Sequence, residues 1–223
     1  MKTRLTVFAA VIGFITLTAL GACAGLVSND ETIRYKITVT IETPEGDKVG
    51  SAVREAYKHT EKSILPDQGG AFYGINKGEA VIVDLGSYGL IFGLMTNEGN
   101  EPRAVFHALA DDKATTFDLP PKAFPRFVRF DNLHDLYSVK AVPFVKAQDA
   151  AKLSARPFQF ELGHGIYLKS VHVEITKEAV IWRVDDFLPW LKDVKKLSLD
   201  GKIIVSRNTP LGLEGSNFQR GEK

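Results

Sequence analysis

Three groups of residues have the types and spacing for acid–base or metal chemistry. Asp131, His134 and Asp135 put one imidazole and two carboxylates into a single short stretch. Such a set could ligate a divalent cation or work as an acid and its base. The same stretch also reads as a solvated turn, with Asp131, Asn132 and Asp135 accepting local backbone hydrogen bonds. No glycine-punctuated cation loop surrounds it. His172 and Glu174 lie two apart in a strand-like run and so share a face, where both could reach one metal ion. A half-exposed sheet surface accounts for them equally well, and no third ligand stands out. His107 and Asp111 lie four apart in a helix-like run, the spacing of an ordinary surface pair. A hydroxyl nucleophile is harder to find. Gly86-Ser87-Tyr88-Gly89 lacks the Gly-x-Ser-x-Gly order of a nucleophile elbow and leads into another strand rather than a helix. Phosphate-cradling glycine loops, paired zinc ligands and a zincin helix are missing from the sequence.

Cys23 is the single cysteine, and its setting points to attachment rather than catalysis. Lys2 and Arg4 precede a largely apolar run from Leu5 to Leu20, and the small residues Gly21 and Ala22 follow. That order is an export signal. Leu20-Gly21-Ala22-Cys23 resembles the lipobox of bacterial lipoproteins, whose cysteine thiol is diacylated before the signal is removed. Two other readings stand beside it. The apolar run falls short of the ~20 residues that span a bilayer, and plain secretion would leave one unpaired thiol in an oxidising compartment. The resemblance implies a lipid anchor at Cys23, which consumes the thiol. With Ala24 rather than aspartate after it, it also implies an outer-membrane lipoprotein facing the periplasm.

The division that follows is a signal peptide over 1–22, a polar tether over 23–31 and one β-rich domain over 32–220. The full chain has 28 Lys and Arg against 27 Asp and Glu. Loss of the signal removes Lys2 and Arg4 and leaves the rest near neutrality. Such a chain has no basic field for nucleic acid. Without a second cysteine there is no disulfide framework, and a Phe-rich core must hold the fold.

The elements that would position these groups are mostly strands. Ile33, Tyr35, Ile37, Val39 and Ile41 alternate with polar residues, the period of a half-buried strand. Thr43-Pro44-Glu45-Gly46-Asp47 is turn chemistry, and Val49, Ser51, Val53, Glu55 and Tyr57 resume the alternation, predicting a hairpin. Phe72–Ile75 is β-prone and leads to a turn at Asn76-Lys77-Gly78. Glu79–Leu85 and Tyr88–Thr96, joined by a two-residue loop at Gly86-Ser87, are apolar enough to be covered on both faces. Pro102–Ala110 predicts a short helix with Val105, Phe106 and Leu109 as its apolar face. The prolines of Leu119–Pro125 predict irregular chain. Further strands are expected at Phe127–Phe130, Ile166–Ile175, Val180–Val184 and Lys202–Ser206, and a helical turn or two at Gln148–Leu153. The clearest helix is expected at 186–197: Asp186 would cap it, and Phe187, Trp190, Leu191, Val194 and Leu197 form its stripe. Its mixed charges favour packing on the sheet over a membrane or partner surface. The fold class is α+β, strand-rich and mostly antiparallel, with a few short helices.

Several stretches together resemble a family of uncharacterised conserved proteins common in alphaproteobacteria. The carrying residues are Thr43-Pro44-Glu45-Gly46 with Gly50-Ser51, Gly78-Glu79-Ala80-Val81 with Asp84-Leu85, and Val128-Arg129-Phe130-Asp131 with Asp135 and Ser138-Val139. Leu168-Lys169-Ser170-Val171, Val173-Glu174-Ile175-Thr176, Leu188-Pro189-Trp190-Leu191 and Leu199-Asp200-Gly201 continue it. The chain departs from the pattern in Phe158–Gly163 and in His134. The resemblance carries no activity, and so no catalytic residue or cofactor. The functional expectation is a membrane-anchored envelope lipoprotein, a non-catalytic binding or structural module for an envelope protein, a glycan or a small apolar ligand. The alternative is an envelope hydrolase or metal-dependent enzyme using one of the His/Asp/Glu groups.

Overall fold

The computed structural model describes residues 29–61, 70–95, 100–111, 113–143, 165–192, 213 and 215–221. Cys23 and the expected elements at 148–153 and 202–206 lie outside these residues, as does the departure at 158–163. The described chain forms two antiparallel sheets. Strand β1 (Asn29–Thr43) turns through Pro44-Glu45 into β2 (Gly46–Glu61). The strand thus begins within the stretch expected to be tether. Around this hairpin are β3 (Gly70–Glu79), β9 (Tyr167–Ile175), and the short β6 (Thr116–Asp118) and β10 (Gln219–Arg220). The order in this six-stranded sheet is β10-β3-β2-β1-β9-β6. The second sheet has the order β4-β5-β7-β8, from β4 (Val81–Asp84), β5 (Leu90–Gly93), β7 (Phe127–Phe130) and β8 (Val139–Val142).

The β1 alternation behaves as read from the sequence. Tyr35, Ile37, Val39 and Ile41 are all fully buried between the sheets, each side chain contributing about 1.5–3 kcal/mol by leaving water. The phase on β2 follows the sequence only at Val53, which is buried. Val49 is 60% exposed, whereas Gly50, Ala52, Arg54 and Ala56 are buried. The reason is the close approach of β4: a Cβ on Gly50 would overlap the carbonyl oxygen of Ile82. At Gly50 no side chain fits, and apolarity alone misassigns the strand's phase there.

Three further expectations are corrected. Asn76-Lys77-Gly78 is not a turn but the end of β3; Gly78 has φ +146°, and the chain leaves for the second sheet after Glu79. The β4–β5 connection is not a two-residue loop. Its Asp84↔Leu90 pairing encloses a 3₁₀ turn at Gly86–Tyr88. Val180–Arg183 is not a strand, and Val184 opens a short helix α2 (Val184–Phe187) with Arg183, not Asp186, at its N-cap. Pro189 disfavours helical backbone at Leu188, which sits at φ −120° and ψ 78°. The remainder of the expected helix, 193–197, lies outside the described residues.

The second sheet is covered on both faces, as its apolar strands require. Val81, Val83 and Ile91 join the core against β1 and β2. Phe92, Val128 and Phe130 face the other way, onto Val184, Leu188 and Leu191 and onto Phe218 of α3 (Gly215–Phe218). Trp190 packs there too, its ring 5.7 Å from Phe130 and 5.5 Å from Phe218, while its indole N–H donates to Leu133 O at 3.0 Å. Helix α1 (Asn100–Asp111) forms where expected, with Val105 and Phe106 buried.

Candidate functional site

Helix α1 has two faces of different use. Glu101, Pro102, Val105 and Phe106 are turned into the protein. Asn100, Arg103, Ala104, His107, Ala108 and Asp111 recur at the spacing of one helical stripe, and they form one wall of a cleft of about 520 Å³. The other wall is the chain from Phe117 through Asp118 and Pro120 to Lys122, held by the pairing of β6 with β9 and by the 3₁₀ turn at Pro121–Ala123. The volume is that of a small-molecule site.

Both carboxylates in the cleft are engaged by histidines. Asp118 Oδ1 lies 2.9 Å from His172 Nδ1 and Asp111 Oδ2 lies 3.3 Å from His107 Nδ1. The cations behave differently. Arg103 lies over the ring of Tyr73, 5.4 Å from its centroid. Neither Arg103 nor Lys122 has an acidic partner among the described residues.

A second polar group holds α1 in place. Arg54 and Glu101 are fully buried and joined by Arg54 Nη1 to both carboxylate oxygens, at 2.7 and 2.6 Å. The guanidinium also donates through Nη2 to Gly93 O at 3.0 Å and through Nε to Glu79 O at 3.1 Å. Tyr35, directly opposite Arg54 in the β1–β2 register, donates its hydroxyl to Glu101 Oε1 at 2.6 Å. Burial, reinforced by the neighbouring Glu101 charge, pushes the Tyr35 phenol well above its ordinary range. Glu79 extends the group, its Oε2 accepting the backbone N–H of Arg183 at 2.6 Å and of Val184 at 3.0 Å. Burial raises the Glu79 carboxyl, opposed by those two hydrogen bonds. One helix, two sheets and the start of α2 therefore meet on four polar side chains.

Of the groups singled out by sequence, His107 and Asp111 line the cleft as the expected surface pair, and the other two fall elsewhere. Asp131, His134 and Asp135 share an exposed turn built from local bonds. Asp131 pairs with Lys140 at 2.7 Å and Arg129 at 3.3 Å, and Lys140 holds its carboxyl below the usual range. Asp135 Oδ1 accepts the Tyr137 N–H at 2.8 Å, capping a 3₁₀ turn. His134 contributes its backbone N–H to Asn132 Oδ1 at 3.0 Å. His172 and Glu174 do share the outer face of β9, opposite Thr38 and Lys36 of β1. They do not meet the first group at one centre, and the described residues contain no cluster of three groups able to hold a metal ion. Of the five, only His172 reaches the cleft, through Asp118.

Arg54, Glu101 and the cleft cations were not singled out by sequence reasoning. One signal was present: Glu101 lies four before Val105 and so on the apolar face of α1, where a carboxylate requires a buried partner. The opposing wall depends on β6–β9 pairing, which no local pattern encodes. No helix among the described residues is long and apolar enough to cross a membrane. Comparison of the chain with protein-family models, with curated proteins and with solved structures finds no match in any of the three.

Proposed function

We propose that the chain is a bacterial envelope lipoprotein, anchored through an acylated Cys23, whose β-rich domain binds a ligand without transforming it. The observation that carries the non-catalytic part is how the acid–base groups are used. Asp131 and Asp135 are each held by a neighbouring ion pair or hydrogen bond, and among the described residues lining the cleft none carries a hydroxyl or thiol nucleophile. The anchor rests on Leu20-Gly21-Ala22-Cys23. Because β1 begins at Asn29, the intervening chain spans at most ~20 Å when extended, which would keep that end of the sheet beside the bilayer. Ala24 favours the outer membrane, with the domain in the periplasm.

Labelling with radioactive palmitate, with Cys23→Ser as control, tests the anchor. Label on the wild type, absent from the variant together with release from the membrane fraction, supports it. A wild type that takes up no label overturns it. A second reading, an envelope hydrolase, draws on one observation: Asp118 orients the His172 imidazole at the edge of the cleft, the relation a general base needs. Chromogenic esters cleaved by the wild type but not by His172→Ala would favour it, and equal rates would dismiss it.

A further inference from the structure

We infer that the cleft beside α1 takes a small organic anion, a single carboxylate on a flat apolar body. This deepens the binding role proposed above and rests on it. The charged groups of the cleft divide into two that hydrogen-bond a histidine and two that make no ion pair. Asp111 holds His107 at 3.3 Å and Asp118 holds His172 at 2.9 Å, whereas Arg103 and Lys122 make no ion pair with a described residue. Arg103 and Lys122 are therefore the charged groups of the cleft left without an ion-pair partner among the described residues.

Arg103 is also prepared for the task. Its guanidinium carbon lies over Tyr73, 5.4 Å from the ring centroid, a contact that uses none of its N–H groups in an ion pair. That leaves the N–H edge for a carboxylate, which a guanidinium can hold with two parallel hydrogen bonds. Tyr73 is itself packed, 5.8 Å from the Phe106 ring and 6.2 Å from the His107 ring, so the platform is fixed. Ala104, Ala108, Phe117 and Pro120 give the cleft an apolar strip for the ligand's body. The two paired carboxylates decide against a phosphate or other dianion. They place negative charge on the same walls, which one carboxylate tolerates beside two cations and a doubly charged group does not.

The test is calorimetric titration of the full chain in detergent with naphthoate, naphthylmethanol and naphthylmethylamine as probes. Naphthoate is expected to bind about ten-fold or more tightly than the alcohol or the amine, the ratio one charge-assisted contact supports. Arg103→Met should remove that preference and Lys122→Met reduce it, while Asp135→Asn, remote from the cleft, should leave it intact. Equal binding of the three probes, or an unchanged preference in Arg103→Met, overturns the anion assignment and leaves the binding role standing. Absence of binding by any probe overturns the use of the cleft altogether. Neither result bears on palmitate labelling of Cys23, so a failure of the anchor is recognised separately.

Discussion

Two polar regions of this protein use the same side-chain types to opposite effect. In the turn around Asp131–Asp135 the carboxylates lie in solvent, where water screens each ion pair. Between the sheets, Arg54, Glu101 and Tyr35 are wholly removed from water, and each charge depends on its partner. A buried pair need not stabilise relative to apolar residues, yet losing one member strands the other. Chemistry-bearing residue types at the surface are therefore weak pointers to importance. The same types among apolar neighbours are strong ones.

The difference can be broken most sharply at Glu101. Glu101→Leu leaves the Arg54 charge uncompensated and is expected to cost about 3–5 kcal/mol in urea unfolding. Gly50→Ala comes next, because its new methyl group meets the Ile82 backbone. A loss of about 1–3 kcal/mol is expected, against little change for Gly70→Ala, whose Cβ has open space around it.

The third prediction sets a buried carboxylate against an exposed one by pH. Burial raises Glu79 above its ordinary 4.5, so the folded chain holds that proton more tightly than the unfolded chain does. Acidification from neutrality through the raised value thus adds stability, and the gain is complete below 4.5. Asp131, lowered by Lys140 from its ordinary 3.8, runs the other way: its contribution is present above 3.8 and disappears as pH falls through the lowered value. Unfolding free energies of Glu79→Gln and Asp131→Asn, subtracted from wild type across pH, should show the two opposite slopes. Slopes of the same sign would refute the contrast. The smallest effect is expected at His134→Ala, whose unfolding midpoint at neutral pH should match the wild type.

The legibility of the fold follows the same division. The β1–β2 hairpin, α1 and β7 were readable because apolar periodicity and turn residues agree there. The phase of β2 was not, since Gly50 is inward for a steric reason that only the neighbouring β4 imposes, and Ala52, Arg54 and Ala56 share its face. The helix expected at 186 begins instead at Val184, because Glu79, distant in sequence, receives the N–H groups that a local cap would. For the site, the α1 stripe was implicit in its 3.6-residue period, but its opposite wall arises from strand pairing across more than fifty residues. His172 was noticed for its neighbour Glu174 and turns out to matter for Asp118.

The central claim is that Arg54 and Glu101 act as one unit fixing α1 between the sheets. A double-mutant cycle of Arg54→Met and Glu101→Leu by urea unfolding tests it most directly. The claim predicts two costly single variants and a coupling energy of at least about 2 kcal/mol. The double variant should cost well under their sum, although Tyr35, Gly93 and Glu79 still lose a partner. Additive losses, with coupling below about 0.5 kcal/mol, would contradict it.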